Sequence, residues 1–439
     1  MERTLIKNLG RKVGERALIK GSVSVRRDQG KMVFFDFRDR SGGVQGVVLP
    51  KSDAIETAKE VRPEYVVSVE GTVNKRPDKN VNDGVQNGDI ELEVHTIHIF
   101  SKAEVPFELD ADVNLDTYLD YQPYLLRSQR SHAVFKLQET VVQAFRESLK
   151  EQDFTEFQAP AIVGGDAEGG AAAFEVKYHY DKPAYLATSP QLYKQIMVGV
   201  FERVFATPKV FRGEKHATPR HLNEYSSMDF EMGFIHDHTD VMAVLESTIR
   251  HIVEKVQGHH LDVFELFGAE LPLLPKKIPV LKLREAQDIL GVEEDPDLEP
   301  EHEKKLCEWA RKEKGSDFVF VTHYPVSKRP FYTYEDEADP GYTKSFDLLF
   351  RGLEITTGGQ RVHDYNTLVE KIKDKGMDPE RFSFYLQAFK VGLPPHGGSA
   401  TGLERVTARL LNLPNVKETT LFPRDLNRID TLLSTDKKE

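Results

Sequence analysis

Two rhythms of apolar positions divide the chain. Over the first hundred residues, short runs rich in β-branched and aromatic residues alternate with Gly-containing turns. They are ALIKGSVSVRR, KMVFFDFRDRSG and GVQGVVLP, then, after the helical stretch KSDAIETAKEVR, YVVSVEGTVNKRP and DIELEVHTIHIF. Alternation of this kind marks strands with one face in a core. Five strands with a helix between the third and fourth have the order of an OB-fold, a small barrel that commonly binds oligonucleotides. Another small β-barrel fits the same pattern. Phe34, Phe35 and Phe37 share one strand, so at least one ring faces away from the other two. A ring exposed on a barrel face is a stacking platform for an unpaired base, worth ~1–3 kcal/mol.

From about Val105 to Ser131 (VPFELDADVNLDTYLDYQPYLLRSQRS) the rhythm is lost and Pro, Asp and Tyr accumulate. This stretch reads as a linker at 106–131, between a barrel at 1–105 and a second domain at 132–439. Helical spacing resumes near His132, with Val134, Leu137, Val141, Val142 and Phe145 on one side. The remainder alternates helical and strand runs in an α+β manner, and the whole is expected to be multidomain α+β.

Composition narrows the classes without choosing among them. With 439 residues, 39% hydrophobic and 30% charged, the chain is that of a globular protein. No run approaches the ~20 apolar residues of a membrane span, and MERTLIKNLG lacks the apolar core of a signal peptide. A cytoplasmic protein with no membrane partner is expected. Cys307 is the single cysteine, which excludes an internal disulfide and a multi-cysteine zinc site. The formal charge of −12 argues against a uniformly basic coat, but not against a folded RNA partner, because local placement of Lys and Arg sets affinity.

Four segments carry candidate chemistry. In FRGEKHATPRHLNEYSSMDFEMGFI, Arg212 and Glu214 are expected on one face of a strand. A polar loop with Lys215, His216, Arg220 and His221 follows, and a second strand returns through Tyr225 to Glu231. Two arginines and a ring around one hollow suit a nucleotide; a salt-bridged surface hairpin fits equally well. In SPQLYKQIM, Ser189 reads as an N-cap and Pro190 as the first helical residue. Gln191 and Lys194 then share one face of the first turn, an arrangement that suits an anion at the helix end. A lysine extended into water is the plain alternative.

SFDLLFRGLEITTGGQR reads as a hairpin turning at Arg351 and Gly352. In that register Leu349 faces Glu354, and Asp347 lies diagonal to Glu354 at roughly 7–8 Å. Two carboxylates so placed suit Mg²⁺ with nucleotide phosphates, and solvated acids on an edge hairpin are the alternative. Arg361 follows TTGG, taken as flexible, and could reach the same hollow. HGGSATGLERVTARLLNL reads as a Gly-rich loop entering a helix, with Arg405 in its first turn. By itself that is weak evidence for a phosphate site.

Taken in order, these segments resemble the signature motifs of class II aminoacyl-tRNA synthetases. FTEFQAP, ending in Pro160, is similar to motif 1, which builds the family's dimer interface. FRGEKHATPRHLNE…DFEM resembles motif 2, and GLER at Gly402 to Arg405 resembles motif 3. The barrel matches the family's anticodon-binding domain, so the likeness covers almost the whole chain. EGG at Glu168 to Gly170, QLYK at Gln191 to Lys194 and GGQR ending in Arg361 resemble the aspartate pocket of the aspartyl branch. Only about 120 residues separate motif 2 from Glu354, which resembles the archaeal and eukaryotic type.

The resemblance implies an OB-fold barrel followed by a catalytic domain built on an antiparallel sheet flanked by helices. It implies ATP-dependent activation of L-aspartate, transfer to tRNA-Asp, Mg²⁺ as cofactor and a homodimer. By position, Arg212 would bind the α-phosphate and the substrate carboxylate, and Glu214 would meet the adenine side. Arg220, His221 and Arg405 would hold the outer phosphates, and Tyr225 and Arg405 would enclose the adenine. Leu222, Gly402 and Glu404 complete the ATP site, and Arg212, Glu354 and Arg405 are the candidate catalytic residues. Asp347, Glu354 and Thr357 would hold Mg²⁺. Glu168 and Gln191 would receive the α-ammonium group of aspartate, with Arg212 and Thr357 nearby, while Lys194 and Arg361 would pair with its β-carboxylate.

In the barrel, Phe34 and Gln45 match residues that read the middle anticodon base. Ser24 stands where discriminating relatives tend to carry tryptophan, and its hydroxyl both donates and accepts. Acceptance of tRNA-Asn as well as tRNA-Asp is therefore expected, unless Arg26 or Lys75 supplies the discrimination. Three departures from the pattern are Ala400 for the usual glycine, Thr357 for serine, and TYLDYQPYLLR in the linker.

Overall fold

The computed structural model describes residues 1–165, 172–215, 218–293 and 295–430. They form two compact units, Met1–Ala111 and Asp112–Glu439.

In the first unit, the strand-forming runs become β1 (Arg16–Gln29), β2 (Met32–Asp39), β3 (Gly42–Val48), β4 (Val66–Lys75) and β5 (Ile90–Ser101), with a short helix, Ile55–Glu60, before β4. They close into a barrel in the order β1-β2-β3-β5-β4. Closure is made by antiparallel β1/β4 and parallel β3/β5, which removes the exposed edges of an open sheet. Period-two alternation sends Val33, Phe35 and Phe37 inward with Ile19, Val69 and Leu92. Phe34, Asp36 and Arg38 consequently take the outer face.

The second unit is organised on a nine-stranded mixed sheet. Its strands are β6 (Thr155–Glu156), β9 (Arg203–Ala206), β10 (Lys209–Phe211), β11 (Glu224–Gly233), β12 (Val280–Lys282), β13 (Phe318–Thr322), β14 (Ser345–Phe350), β15 (Leu353–Arg361) and β16 (His396–Gly402). A separate pair, β7 (Ile162–Val163) and β8 (Tyr185–Leu186), lies between β6 and β9 in sequence. The order across the sheet is β12-β13-β14-β15-β16-β11-β9-β6, with β10 beside β11. The centre is antiparallel, and parallel pairs, β12/β13 and β6/β9, stand at the two edges.

Two long helices, Gln129–Lys150 and His238–His259, pack together over the main core. Their apolar stripes, with Leu137, Val141, Phe145, Leu245 and Ile249, join Phe205 and Phe230 of the sheet. Each begins at a capped end, where Ser128 Oγ accepts from Ser131 N–H and Asp237 Oδ1 from Thr239 N–H. No described helix is long and apolar enough to cross a membrane.

Three local expectations are corrected. HGGSATG is a central strand, β16, and TTGG lies inside β15. The glycines there serve close packing. A Cβ on Gly358 would stand 2.4 Å from the Phe346 ring, and one on Gly398 would stand 2.1 Å from both Phe230 O and Glu231 Oε2. Within the stretch read as linker, residues from Asp112 onward belong to the second unit and include the helices Leu115–Asp120 and Gln122–Leu125. Gln122 is fully buried, donating to Thr420 O (3.0 Å) and accepting from Phe422 N–H (2.6 Å).

Candidate active site

A cavity of 340 Å³ opens over β11, β15 and β16, and Arg212, Arg220, Tyr225, Glu354, Arg361 and Arg405 are among its walls. On one side, β10 ends at Phe211, so Arg212 and Glu214 lie in the loop that follows and not on a strand as expected. The chain leaves the sheet because Gly213 N–H turns to Ala172 O (2.6 Å). Arg212 still keeps the hairpin pairing through its N–H to Asn223 O (2.9 Å), and Asn223 Nδ2 returns a bond to Arg212 O (2.6 Å). The Arg212 guanidinium carbon sits 5.7 Å from the Tyr225 ring centroid, within cation–π range. Leu222 is buried in the wall, and His221 Nδ1 is held by Thr218 Oγ1. Arg220 pairs with Glu303, a residue the motif reading did not include.

Glu303 also links this side to a pair of carboxylates, Asp347 and Glu354, through the Glu354 N–H (3.1 Å). Leu349 faces Glu354, as the hairpin register required, but a bulge between Leu348 and Leu349 sets Asp347 directly across from Thr357. Glu354 Oε1 accepts from Thr357 Oγ1 (2.9 Å), and Arg405 Nη1 donates to Glu354 O (2.8 Å). Asp347 Oδ2 accepts from Arg329 Nη2 (2.8 Å). Burial, with the Glu354 charge added, pushes the Asp347 carboxyl up to about 6. Glu354 is half-buried; desolvation alone would raise it, yet Arg405 and the Thr357 hydroxyl hold it below the usual carboxylate range.

Asp347 Oδ1 is buried without a hydrogen-bond partner. An orphaned carboxylate oxygen beside a second carboxylate and a hydroxyl fits a hard cation. Among the described residues no group of three His, Cys, Asp or Glu side chains forms a cage. These oxygens would suit Mg²⁺, which keeps water and takes substrate phosphate as further ligands.

Beneath the cavity floor lies a four-charge cluster. The helix that carries Lys194 starts at Gln191, one residue later than expected, with Ser189 Oγ accepting Gln191 N–H (3.1 Å). Lys194 is fully buried, so the water-exposed alternative is excluded. It donates to Asp229 Oδ2 (2.8 Å) and Ser399 O (3.1 Å), and forms an ion pair with Glu231 Oε2 at 3.3 Å. Arg361 donates through Nε to Glu231 Oε1 (2.9 Å) and through Nη2 to Gly398 O (2.9 Å), and approaches Gln191 Oε1 (3.5 Å). Burial alone would raise Glu231, but Arg361 and Lys194 hold it below the usual range. Arg361 lines the cavity while Lys194 stays one layer below.

Asp229, Glu231, Arg329 and Glu303 were not singled out from the sequence. The first two had a signal: acids two apart in the strand DFEM point the same way, and burial of that face demands cationic partners.

The GLER segment splits its roles. Gly402 precedes the helix Leu403–Leu410, Arg405 faces the cavity, and Glu404 accepts Ser226 N–H at 3.0 and 3.1 Å, bracing that helix to β11. Glu168 lies outside the described residues.

Residues 114–426 match the family model "tRNA synthetases class II (D, K and N)", and residues 17–100 match "OB-fold nucleic acid binding domain". The chain belongs to the class II tRNA synthetases. This synthetase is 45% identical over 440 residues to "Aspartate--tRNA(Asp/Asn) ligase" of Thermus thermophilus, covering 97% of this chain and 99% of that one. It is 42% identical to the ligase of the same name from Aeropyrum pernix, covering 95% and 96%. In three dimensions it resembles asparaginyl-tRNA synthetase from Pyrococcus horikoshii complexed with asparaginyl-adenylate. The TM-score is 0.90 at 31% identity, with 98% and 99% covered.

In the synthetase's barrel, Phe34 and Gln45 come to one outer face, beside the bidentate pair Arg27–Asp36 at 2.8 and 2.9 Å. Ser24 lies in a β-bulge, and its Oγ accepts from Arg38 Nη1 (2.9 Å) while Arg38 grips Glu64 at 2.6 and 2.7 Å. Arg26 stands opposite inward-facing Phe35 and pairs with Asp28, so it does not share the Phe34 face.

Proposed function

We propose that this synthetase activates L-aspartate with ATP and transfers it to tRNA-Asp and tRNA-Asn in the cytoplasm. The observation that carries the amino-acid choice is the charge count under the cavity. Asp229 and Glu231 are balanced by Lys194 and Arg361, and of these four only Arg361 lines the cavity. Without Lys194 the floor would carry one excess negative charge and repel an acidic side chain; with it the floor is neutral, and Arg361 at its surface can pair with one. The names of the Thermus and Aeropyrum relatives support both the amino acid and the dual tRNA range.

In the first step the aspartate α-carboxylate attacks the α-phosphorus of ATP, forming aspartyl-adenylate and releasing pyrophosphate. Arg212 orients the carboxylate and the α-phosphate and neutralises charge as it develops. Tyr225 stacks on the adenine, with Arg405 over its other face. Arg220 and His221 take the outer phosphates, and Gln191 receives the α-ammonium group. Asp347, Glu354 and Thr357 would hold Mg²⁺, which would supply charge neutralisation at the phosphates. In the second step a terminal hydroxyl of the tRNA takes the acyl group and AMP leaves. No side chain serves as nucleophile.

We also infer a two-fold dimer through residues 154–160. Supporting it, β6 is a two-residue strand at the open edge of the sheet, and closed two-fold pairs are the commonest symmetry.

The test is aminoacylation of both tRNA transcripts with labelled aspartate and labelled asparagine at one salt concentration. Aspartate is expected on both. Better charging with asparagine, which the Pyrococcus likeness raises as the rival, would overturn the amino-acid assignment. A preference for tRNA-Asp above about 100-fold, near the top of what one base edge supplies, would overturn the dual range.

A further inference from the structure

The helix Pro300–Lys314 lies between β12 and β13, outside all three motifs. Its buried residues are Glu303, Leu306, Cys307 and Ala310, spaced as one helical face with a single acid among apolar neighbours. A carboxylate is costly at such a position unless charge and hydrogen bonds compensate it. Both are present. Glu303 Oε2 accepts from Arg220 Nη2 and from the backbone N–H of Glu354 (3.1 Å). The Glu303 side chain is 10% exposed and that of Arg220 20%, so water screens the pair little.

Arg220 follows a polar loop, and an arginine without an ion-pair partner there would sample many rotamers. Glu354 is the carboxylate that faces Thr357 and Arg405. One oxygen of Glu303 therefore fixes a cation from the motif 2 loop and the backbone of a cation-binding residue on β15. Arg220 and Glu354 both line the same cavity.

Resting on the reading of that cavity as an ATP site, we infer that Glu303 is a positioning residue for the outer phosphates of ATP. It holds Arg220 at a set distance from Glu354, so that the phosphate-binding cation and the Mg²⁺ ligand are in place before the nucleotide arrives. Glu303 touches neither substrate. An arginine presents five N–H donors in a rigid fork, so one edge can rest on Glu303 while another meets phosphate.

The experiment is aspartate-dependent pyrophosphate exchange on the full chain with E303Q, E303A, R220A and the E303A/R220A pair. Calorimetric titration of ATP into wild type and E303Q runs alongside. Glutamine keeps the size and one acceptor but loses the charge. E303Q is expected to raise KM for ATP about tenfold, the scale of one charged hydrogen bond, and to weaken ATP in the titration alike. KM for aspartate is expected to stay within about twofold of wild type on the same scale. E303A is expected to add little on the R220A background, because the two act through one contact. A lower melting temperature with unchanged ATP affinity, or full additivity in the pair, would make Glu303 a structural brace and overturn the inference. The titration keeps the two readings apart. If wild type binds ATP but supports no aspartate exchange, the proposed function fails while the role of Glu303 is still decided by E303Q.

Discussion

Lys194 Nζ stands 2.8 Å from Asp229 Oδ2, with both side chains withdrawn from solvent. A lysine at this depth has no water to fall back on, so its charge is sustained by Asp229, Glu231 and the Ser399 carbonyl together. On the proposed function the consequence for specificity is indirect: Lys194 would set the charge of the floor on which Arg361 acts.

Lys194→Leu leaves Asp229 and Glu231 against Arg361 alone. Breaking a buried pair by deleting one partner costs ~3–5 kcal/mol, and the floor gains a negative charge. Aspartate-dependent exchange should fall at least ~100-fold in kcat/KM, while KM for ATP changes little. Wild-type kcat/KM for aspartate in a folded variant would remove Lys194 from the specificity argument.

Asp347→Asn keeps the shape and an acceptor for Arg329 but deletes the charge beside the orphaned oxygen. The Mg²⁺ concentration for half-maximal exchange should rise about tenfold, the scale of one charge-assisted contact. A Mg²⁺ titration superimposable on wild type would separate Asp347 from the metal.

His396 links pH to stability. A carbonyl only accepts, so Nδ1 donates to Pro394 O (2.9 Å), leaving Nε2 to accept from Gln195 Nε2 (2.9 Å). Tyr385 OH donates to Gln195 Oε1 (3.1 Å), completing a chain that needs neutral imidazole. Burial pushes His396 down to about 4, against 6.5 for an open histidine, with Glu231 opposing and Arg361 and His363 assisting. Below pH 6.5 the unfolded chain takes a proton that the folded chain refuses. Stability from this group is therefore lost as pH falls towards 4, by up to ~1.4 kcal/mol per pH unit. Melting temperatures of wild type and His396→Gln at pH 7 and pH 5 check this. The variant, although less stable at pH 7, should drop less between the two, and parallel drops would refute it.

Phe34→Ala should weaken tRNA binding by ~1–3 kcal/mol, the range for one base stacked on an aromatic ring, and leave tRNA-independent exchange unchanged. Filter binding at one stated salt concentration measures the first and pyrophosphate exchange the second. Undiminished tRNA affinity would show that the outer face of β2 carries no base.

Much of this molecule was legible in order along the chain. The barrel's strand-and-helix sequence, the turn at Arg351 and Gly352, and the facing of Leu349 and Glu354 follow from periodicity and turn chemistry. These signals act between neighbours in sequence, and no distant residue is needed to read them. The gathering of Arg212, Arg220, Tyr225 and Arg405 around one cavity was legible in part too, because their spacing within each motif travels with the chain.

What local pattern misread depended on partners far away in sequence. HGGSATG and TTGG look like flexible loops because glycine weakens strands on its own. They are central strands because Phe346, Phe230 and Glu231 leave no room for a Cβ. Lys194 fitted water at least as well as a ligand until Asp229, 35 positions on, was brought to 2.8 Å. Glu303 belongs to no motif, and its link to Arg220 spans 83 positions. Hydrophobic periodicity records which face of an element is buried, but not against what. The pairing of buried charges follows from sheet order and desolvation, and those exist only once the chain has folded.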